Sequence, residues 1–144
     1  MKVSSSINYM LTVAQREVFF QFSKRLSEYG ITPGQYDVLN CLWENGFTTP
    51  KEIAQYLHLE NSSVSGVLDR MQRRGLIDRI LDPNDRRSIR VIATDAGMAI
   101  KEDVLLTISQ LNNHFLCEFS AEEKQLLING LQHIGKITKP YRRN

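Results

Sequence analysis

In residues 61–92, NSSVSGVLDRMQRRGLIDRILDPNDRRSIRVI, a helical period runs directly into a strand period, and that junction leaves few folds open. Val64, Val67, Leu68 and Met71 recur at i, i+3, i+4 and i+7, so they make one apolar helical stripe. The other face carries Ser62, Ser65, Asp69, Gln72 and Arg73. Gly75 follows where a helix end favours a left-handed residue. Residues 76–81 and 88–93 then read as two short strands around DPNDRR, whose Pro83, Asn84 and two aspartates suit a turn.

Charge singles out the same stretch. Residues 69–90 hold seven arginines against four aspartates, a local balance of +3, whereas the whole chain of 144 residues is only +2. The rest is therefore about neutral, and the excess sits where helix meets hairpin. Every cation there is arginine, whose planar fork suits phosphates and guanine edges. A merely solvated arginine-rich face is the competing interpretation on charge alone.

Helix signals precede and follow this segment. Residues 5–29 carry Met10, Leu11, Val13, Val18, Phe19, Phe22 and Leu26 at three- and four-residue spacing, predicting a helix with a broad buried face closed by Gly30. Thr32-Pro33-Gly34-Gln35 and Thr49-Pro50-Lys51-Glu52 are two capping boxes with proline at the first helical position. They open helices bearing Val38, Leu39 and Leu42, then Ile53, Ala54 and Leu57. The second lies about four residues, 58–61, before the serine-rich helix, which is helix-turn-helix spacing; His58, able to adopt positive φ more readily than a branched residue, reads as a turn residue, with a pH sensor or ligand as the alternative. Thr94-Asp95 caps a helix expected to run to about Phe119. Ser120-Ala121-Glu122-Glu123 caps a last helix with Leu126, Leu127, Leu131, Ile134 and Ile137 on its apolar face, ahead of a basic tail at 141–144. The terminal helices carry more apolar surface than a small domain covers, which predicts a homodimer.

A chain of this length buries roughly two-thirds of its unfolded surface and needs no staple. Cys41 and Cys117 lack any metal-ligand spacing, no apolar run reaches the ~18 residues of a membrane span, and the first residues lack a signal-peptide core. These features predict a cytoplasmic protein with no metal, cofactor or membrane partner. His58, His114 and His133 are scattered, and no nucleophile-base set or phosphate loop appears, which argues against an enzyme.

The run Asp69-Arg70-Met71, Gly75-Leu76-Ile77, Asp82-Pro83-Asn84-Asp85-Arg86-Arg87 and Thr94-Asp95-Ala96-Gly97, in this order of elements, resembles the MarR family of bacterial transcription regulators over nearly the whole chain. One departure is His58, where family members commonly have glycine. The resemblance implies a mainly α fold with a small β-hairpin wing: a single domain over 1–144, in which 32–93 form a winged helix-turn-helix DNA-binding lobe and 1–31 with 94–144 a helical dimerisation region. It implies a repressor that binds a pseudo-palindromic DNA operator as a homodimer and is released by a small aromatic or phenolic effector, anionic forms included.

Carried onto these residues, the family pattern makes 61–74 the recognition helix, with Ser62, Ser63, Ser65 and Arg70 near bases or phosphates and Arg86 at the wing tip. Arg87 is either a brace to Asp69 or a further phosphate contact, and Asp85 belongs to the same brace. Arg73 and Arg74 are either flanking phosphate contacts or solvated. Tyr9, Arg16, Phe19, Tyr36 and Trp43 are candidate effector-pocket residues, with Arg16 either a carboxylate clamp or a surface arginine. Two alternatives stand beside this function. One is a thiol sensor, although thiol sensors of the family resemble one another in a first-helix cysteine that this chain lacks, and Cys41 beside Leu42 and Trp43 suits a core. The other is a winged helix used for protein contact, against which the paired wing arginines speak.

Overall fold

The computed structural model describes residues 2–46 and 48–136. The chain divides into two compact units, one reaching residue 109 and one beginning at residue 110. In the first, helices α1 (Ile7–Leu26), α2 (Pro33–Asn45), α3 (Pro50–Leu57) and α4 (Asn61–Arg73) precede an antiparallel hairpin, β1 (Ile77–Asp82) and β2 (Asp85–Ala93). Helices α5 (Asp95–Ala99), α6 (Lys101–Leu116) and α7 (Ala121–Lys136) follow.

Side-chain capping decides most helix starts. Thr32 Oγ1 accepts the Gln35 N–H at 3.2 Å while Gln35 Oε1 accepts the Thr32 N–H, and Thr49 with Glu52 repeats the arrangement. Ser120 and Glu123 do the same for α7. Each box satisfies two N–H groups that have no partner inside the helix.

Four local expectations are corrected. The amino-terminal helix is shorter than 5–29, because a 3-10 turn at Val3–Ser5 precedes α1 and another at Ser27–Tyr29 follows it. The helix expected over 94–119 is interrupted at Ile100, whose ψ of −4° is far from the helical value, and its second part ends at Leu116. β1 starts at Ile77 rather than Leu76, and β2 starts at Asp85, so the six-residue turn shrinks to Pro83 and Asn84. Lastly, the broad face of α1 is buried only at Leu26, while Met10, Val13 and Phe19 are about half exposed. Ile137 and the basic tail lie outside the described residues.

The core of the first unit joins Leu26 of α1, Val38, Leu39 and Leu42 of α2, Ile53 and Ala54 of α3, Val64, Leu68 and Met71 of α4, Ile77 and Val91 of the hairpin and Val104 and Ile108 of α6. The stripe read at 64–71 is thus the surface that seats α4 on its neighbours. Val67 packs at its edge. One bond cluster joins the hairpin's base to α5. The Thr94 N–H donates to Leu76 O at 3.1 Å, the Thr94 hydroxyl donates to Gly75 O, and the Gly97 N–H returns to Thr94 Oγ1 at 3.2 Å. Gly97 lies so close to the Leu76 carbonyl that a methyl group on it would collide with that oxygen.

Candidate nucleic-acid interface

The turn between α3 and α4 is three residues, 58–60, and His58 reverses the chain with φ 54° and ψ 42°. Its N–H bonds to Gln55 O and that of Leu59 to Ala54 O, an αL helix ending built without glycine. The chain therefore pays part of the left-handed cost that a glycine would avoid. At the other end of α4, Gly75 takes φ 76° and lets β1 leave at once.

α4 differs from its capped neighbours. Its N-cap is Glu60, and no side chain caps its first N–H groups. Ser62, Ser63, Ser65 and Arg70 are exposed along the face opposite the buried Val64, Leu68 and Met71. Short hydroxyl side chains beside free N–H groups permit close approach by a phosphate or a base edge. Arg70 folds back over Gly66, its guanidinium at ordinary contact distance from where a Cβ would stand.

In the wing, pairing runs from Ile77↔Ala93 to Leu81↔Ile89 and then slips, so that Asp82 pairs with Asp85. Arg86, Arg87 and Ser88 consequently have no partner on β1. Asp85 Oδ1 accepts the Arg87 N–H at 3.0 Å, and Asp82 Oδ1 accepts the Asn84 N–H at 2.9 Å, so two aspartates shape the reversal. Arg86 is exposed beside the turn, as a wing-tip residue should be, although it belongs to β2 rather than to the turn itself.

The expected brace between Asp69 and Arg87 is not formed. Asp69 is held by Arg79 at 2.8 Å, and Arg79 also donates to Gln72 Oε1 at 3.0 Å. The reason is strand direction: Arg79 lies two residues after the buried Ile77, hence on the sheet face that meets α4, whereas Arg87 falls in the unpaired stretch. Asp85 braces the hairpin locally, through the Arg87 main chain. Period-two alternation from Ile77 would have picked out Arg79.

Two further groups carry weight that spacing did not reveal. Asp82, only 6% exposed, bonds Arg90 Nε at 2.9 Å, and Arg90 Nη1 lies 3.9 Å from Glu52 on the first turn of α3. The Asn84 N–H, then Arg90, hold the Asp82 carboxyl below its usual range. The Thr48 hydroxyl, the Thr49 N–H and the Arg90 charge likewise lower Glu52. With Arg79 and Arg90 committed, Arg70, Arg73, Arg74, Arg86 and Arg87 have no carboxylate partner among the described residues. Arg74 packs its guanidinium over Gly30, at the end of the turn following α1. Arg73 is exposed.

The five candidate pocket residues are not brought together by the groove at the start of α1. Tyr9 and Arg16 line this groove, which includes none of Phe19, Tyr36 and Trp43. Tyr36 and Trp43 pack against the core with ring centroids 6.4 Å apart, and Trp43 Nε1 donates to Gly97 O at 3.2 Å. Phe19 is half exposed on α1. Cys41 is 2% exposed, and burial, with Glu44 and Glu52 adding to it, pushes its thiol up against an opposing bond from Asn45. Cys117 is exposed. Among the described residues no cluster of potential metal ligands occurs, and no helix is long and apolar enough to cross a membrane.

Comparison with known proteins agrees with this geometry. Residues 31–89 match the model of the MarR family. The chain is 32% identical over 102 residues to the organic hydroperoxide resistance transcriptional regulator of Bacillus subtilis, covering 71% of this chain and 69% of the relative. It resembles a MarR mutant from E. coli solved in complex with operator DNA, with a TM-score of 0.82 and 25% identity, over 89% of this chain and 92% of the other. The PcaV transcriptional regulator of Streptomyces coelicolor, solved with its natural ligand, shares the fold with a TM-score of 0.87 at 23% identity, over 95% and 96% of the two chains. With its capped helices, its uncapped serine-rich α4 and its arginine-bearing hairpin, the chain belongs to the MarR family of winged-helix, DNA-binding transcriptional regulators, which are not enzymes.

Proposed function

We propose that the chain is a repressor that binds a pseudo-palindromic operator as a homodimer and is released by a small aromatic or phenolic ligand, anionic forms included. In this reading residues 32–93 are the DNA-binding lobe, and 1–31 with 94–144 the dimerisation region. Ser62, Ser63, Ser65 and Arg70 face the major groove, Arg86 enters the adjacent minor groove, and Arg73, Arg74 and Arg87 border the phosphates. The observation that carries it is the exposed hydroxyl face of uncapped α4 next to a wing whose Arg86 and Arg87 lack any carboxylate partner among the described residues. Dimerisation is supported by apolar side chains left exposed on α1 and α7, among them Ile7, Phe19, Phe20, Leu126 and Leu131. Two recognition helices related by a twofold reach half-sites ~34–36 Å apart.

Titration of a duplex selected from a random-sequence pool tests this. Neutralising roughly 6–10 phosphates lowers affinity by about 10³ to 10⁵ between 50 and 200 mM salt. Arg86→Ala is expected to weaken every duplex, and Ser65→Ala to change the preferred bases more than the affinity. A flat salt profile overturns the DNA reading, and wild-type binding by Arg86→Ala removes the wing from it.

The hydroperoxide-related relative favours a second reading, a thiol sensor. Against it, α1 contains no cysteine and Cys41 is a buried, raised thiol, inert by both criteria. Unchanged duplex affinity after organic hydroperoxide treatment excludes that reading, and a loss reversed by dithiothreitol establishes it.

A further inference from the structure

We propose that Arg90 is the positioning residue of the wing: held between Asp82 beside the hairpin turn and Glu52 at the start of α3, it fixes where Arg86 stands without itself touching DNA. The inference rests on the proposed DNA-binding role of the wing, and one arm of its test does not.

The wing needs such an anchor because its ladder stops early. Beyond Leu81↔Ile89, the residues from Arg86 to Ser88 have no partner on β1, and the turn closed by Asp82 and Asp85, with the Arg87 N–H bonded to Asp85 Oδ1, places them. An unpaired stretch is free to swing unless a side chain holds its base. Asp82 is that base. One carboxylate oxygen accepts the Asn84 N–H and the other accepts the Arg90 Nε–H at 2.9 Å, and the residue is only 6% exposed. Losing the Arg90 donor would leave one of the two bonded oxygens of this carboxylate without its partner.

The anchor's far end is equally fixed. Glu52 accepts the Thr49 N–H at 3.3 Å and the Thr48 hydroxyl, besides lying 3.9 Å from Arg90 Nη1. Thr48 is in turn tied to β2 by two main-chain bonds with Val91, at 3.1 and 2.7 Å. The hairpin turn, the root of β2 and the first turn of α3 thus form one bonded unit with Arg90 at its centre. Strand alternation explains why Arg90 faces Asp82: its partner across the ladder is Ile80, two residues before Asp82 on the same face. An arginine engaged in this way is withheld from phosphates.

Three variants of the full chain test the assignment: Arg90→Met, Arg90→Lys and Glu52→Gln. Amide exchange in free protein is the arm independent of DNA. Arg90→Met is expected to speed exchange at Asn84 and Arg87 by about tenfold, with Arg90→Lys between it and wild type and the α2 and α4 amides unchanged. Should Arg90→Met not fold, the lysine and Glu52→Gln variants carry the same comparison. Unaltered exchange at Asn84 overturns the proposal whether or not DNA binds. The second arm is a double-mutant cycle on a duplex selected from a random pool. Arg90→Met lowers affinity about tenfold, and Arg86→Ala then adds little, because its contact is already misplaced. Additive losses from the two variants, each reducing the salt slope, would make Arg90 a phosphate contact and overturn the positioning role. If wild type binds no duplex, the DNA-binding reading fails while the exchange arm still decides on Arg90.

Discussion

The guanidinium of Arg79 lies 2.8 Å from the carboxylate of Asp69, so the first wing strand is fastened to the helix whose outer face is lined with serines. Because Arg79 also reaches Gln72 Oε1, it spans one turn of α4 and fixes the strand's direction as well as its distance. The pair is partly exposed, with side-chain exposures of 26% and 47%, and contributes only about 0.5–1 kcal/mol to stability.

Asp69→Asn and Arg79→Met are therefore expected to lower melting temperature slightly and DNA affinity several-fold. Arg87→Met leaves melting unchanged, since Arg87 bonds Asp85 through its main chain alone. Thermal melts with parallel duplex titrations check this, and a stability loss in Arg87→Met equal to that in Arg79→Met would refute the assignment.

Much of the architecture was legible because local chemistry and global fold agree. Thr32, Thr49 and Ser120 mark their helices by capping, and Val64, Leu68 and Met71 mark the buried side of α4 by period. The hairpin's existence followed from Pro83 and Asn84, but its register did not, because the slip between Leu81 and Asp82 depends on carboxylate bonds that alternation does not encode. The partner of Asp69 was legible but missed: alternation from Ile77 puts Arg79 on the face that meets α4, whereas Arg87 falls in the stretch that the register slip leaves unpaired. The face of α1 shows the opposite case, an apolar pattern that the structure leaves about half exposed at Met10, Val13 and Phe19.

Acid should loosen the wing before it unfolds the chain. Asp82 and Glu52 are both depressed, so the stability they add is complete above their unfolded values of about 4 and is lost as pH falls through their lower folded values. Asn84, bonded to Asp82, is the reporter. Its amide resonance should shift on acidification below about pH 4. Asp82→Asn should flatten that titration, and a shift that persists in this variant would point to another group.

His58 holds a backbone conformation that costs a non-glycine residue about 1–2 kcal/mol, whereas glycine's extra freedom in the unfolded chain costs about 0.5–1. His58→Gly should then stabilise the protein by ~0.5 kcal/mol or slightly more. Chemical denaturation of the two proteins measures the difference, and a destabilised glycine variant would mean that the imidazole makes a compensating contact.

Gly97 has a neighbour of a different kind. Its Cα faces the Leu76 carbonyl, its N–H is taken by Thr94 and its own carbonyl by Trp43, so Gly97→Ala should cost about 3 kcal/mol or more and be visible as a collapse in melting temperature. The obstacle is a main-chain oxygen, which every amino acid at position 76 supplies alike. A genetic screen for second-site suppressors of Gly97→Ala should therefore return no substitution at Leu76, and only global stabilisers elsewhere or reversion of codon 97 itself.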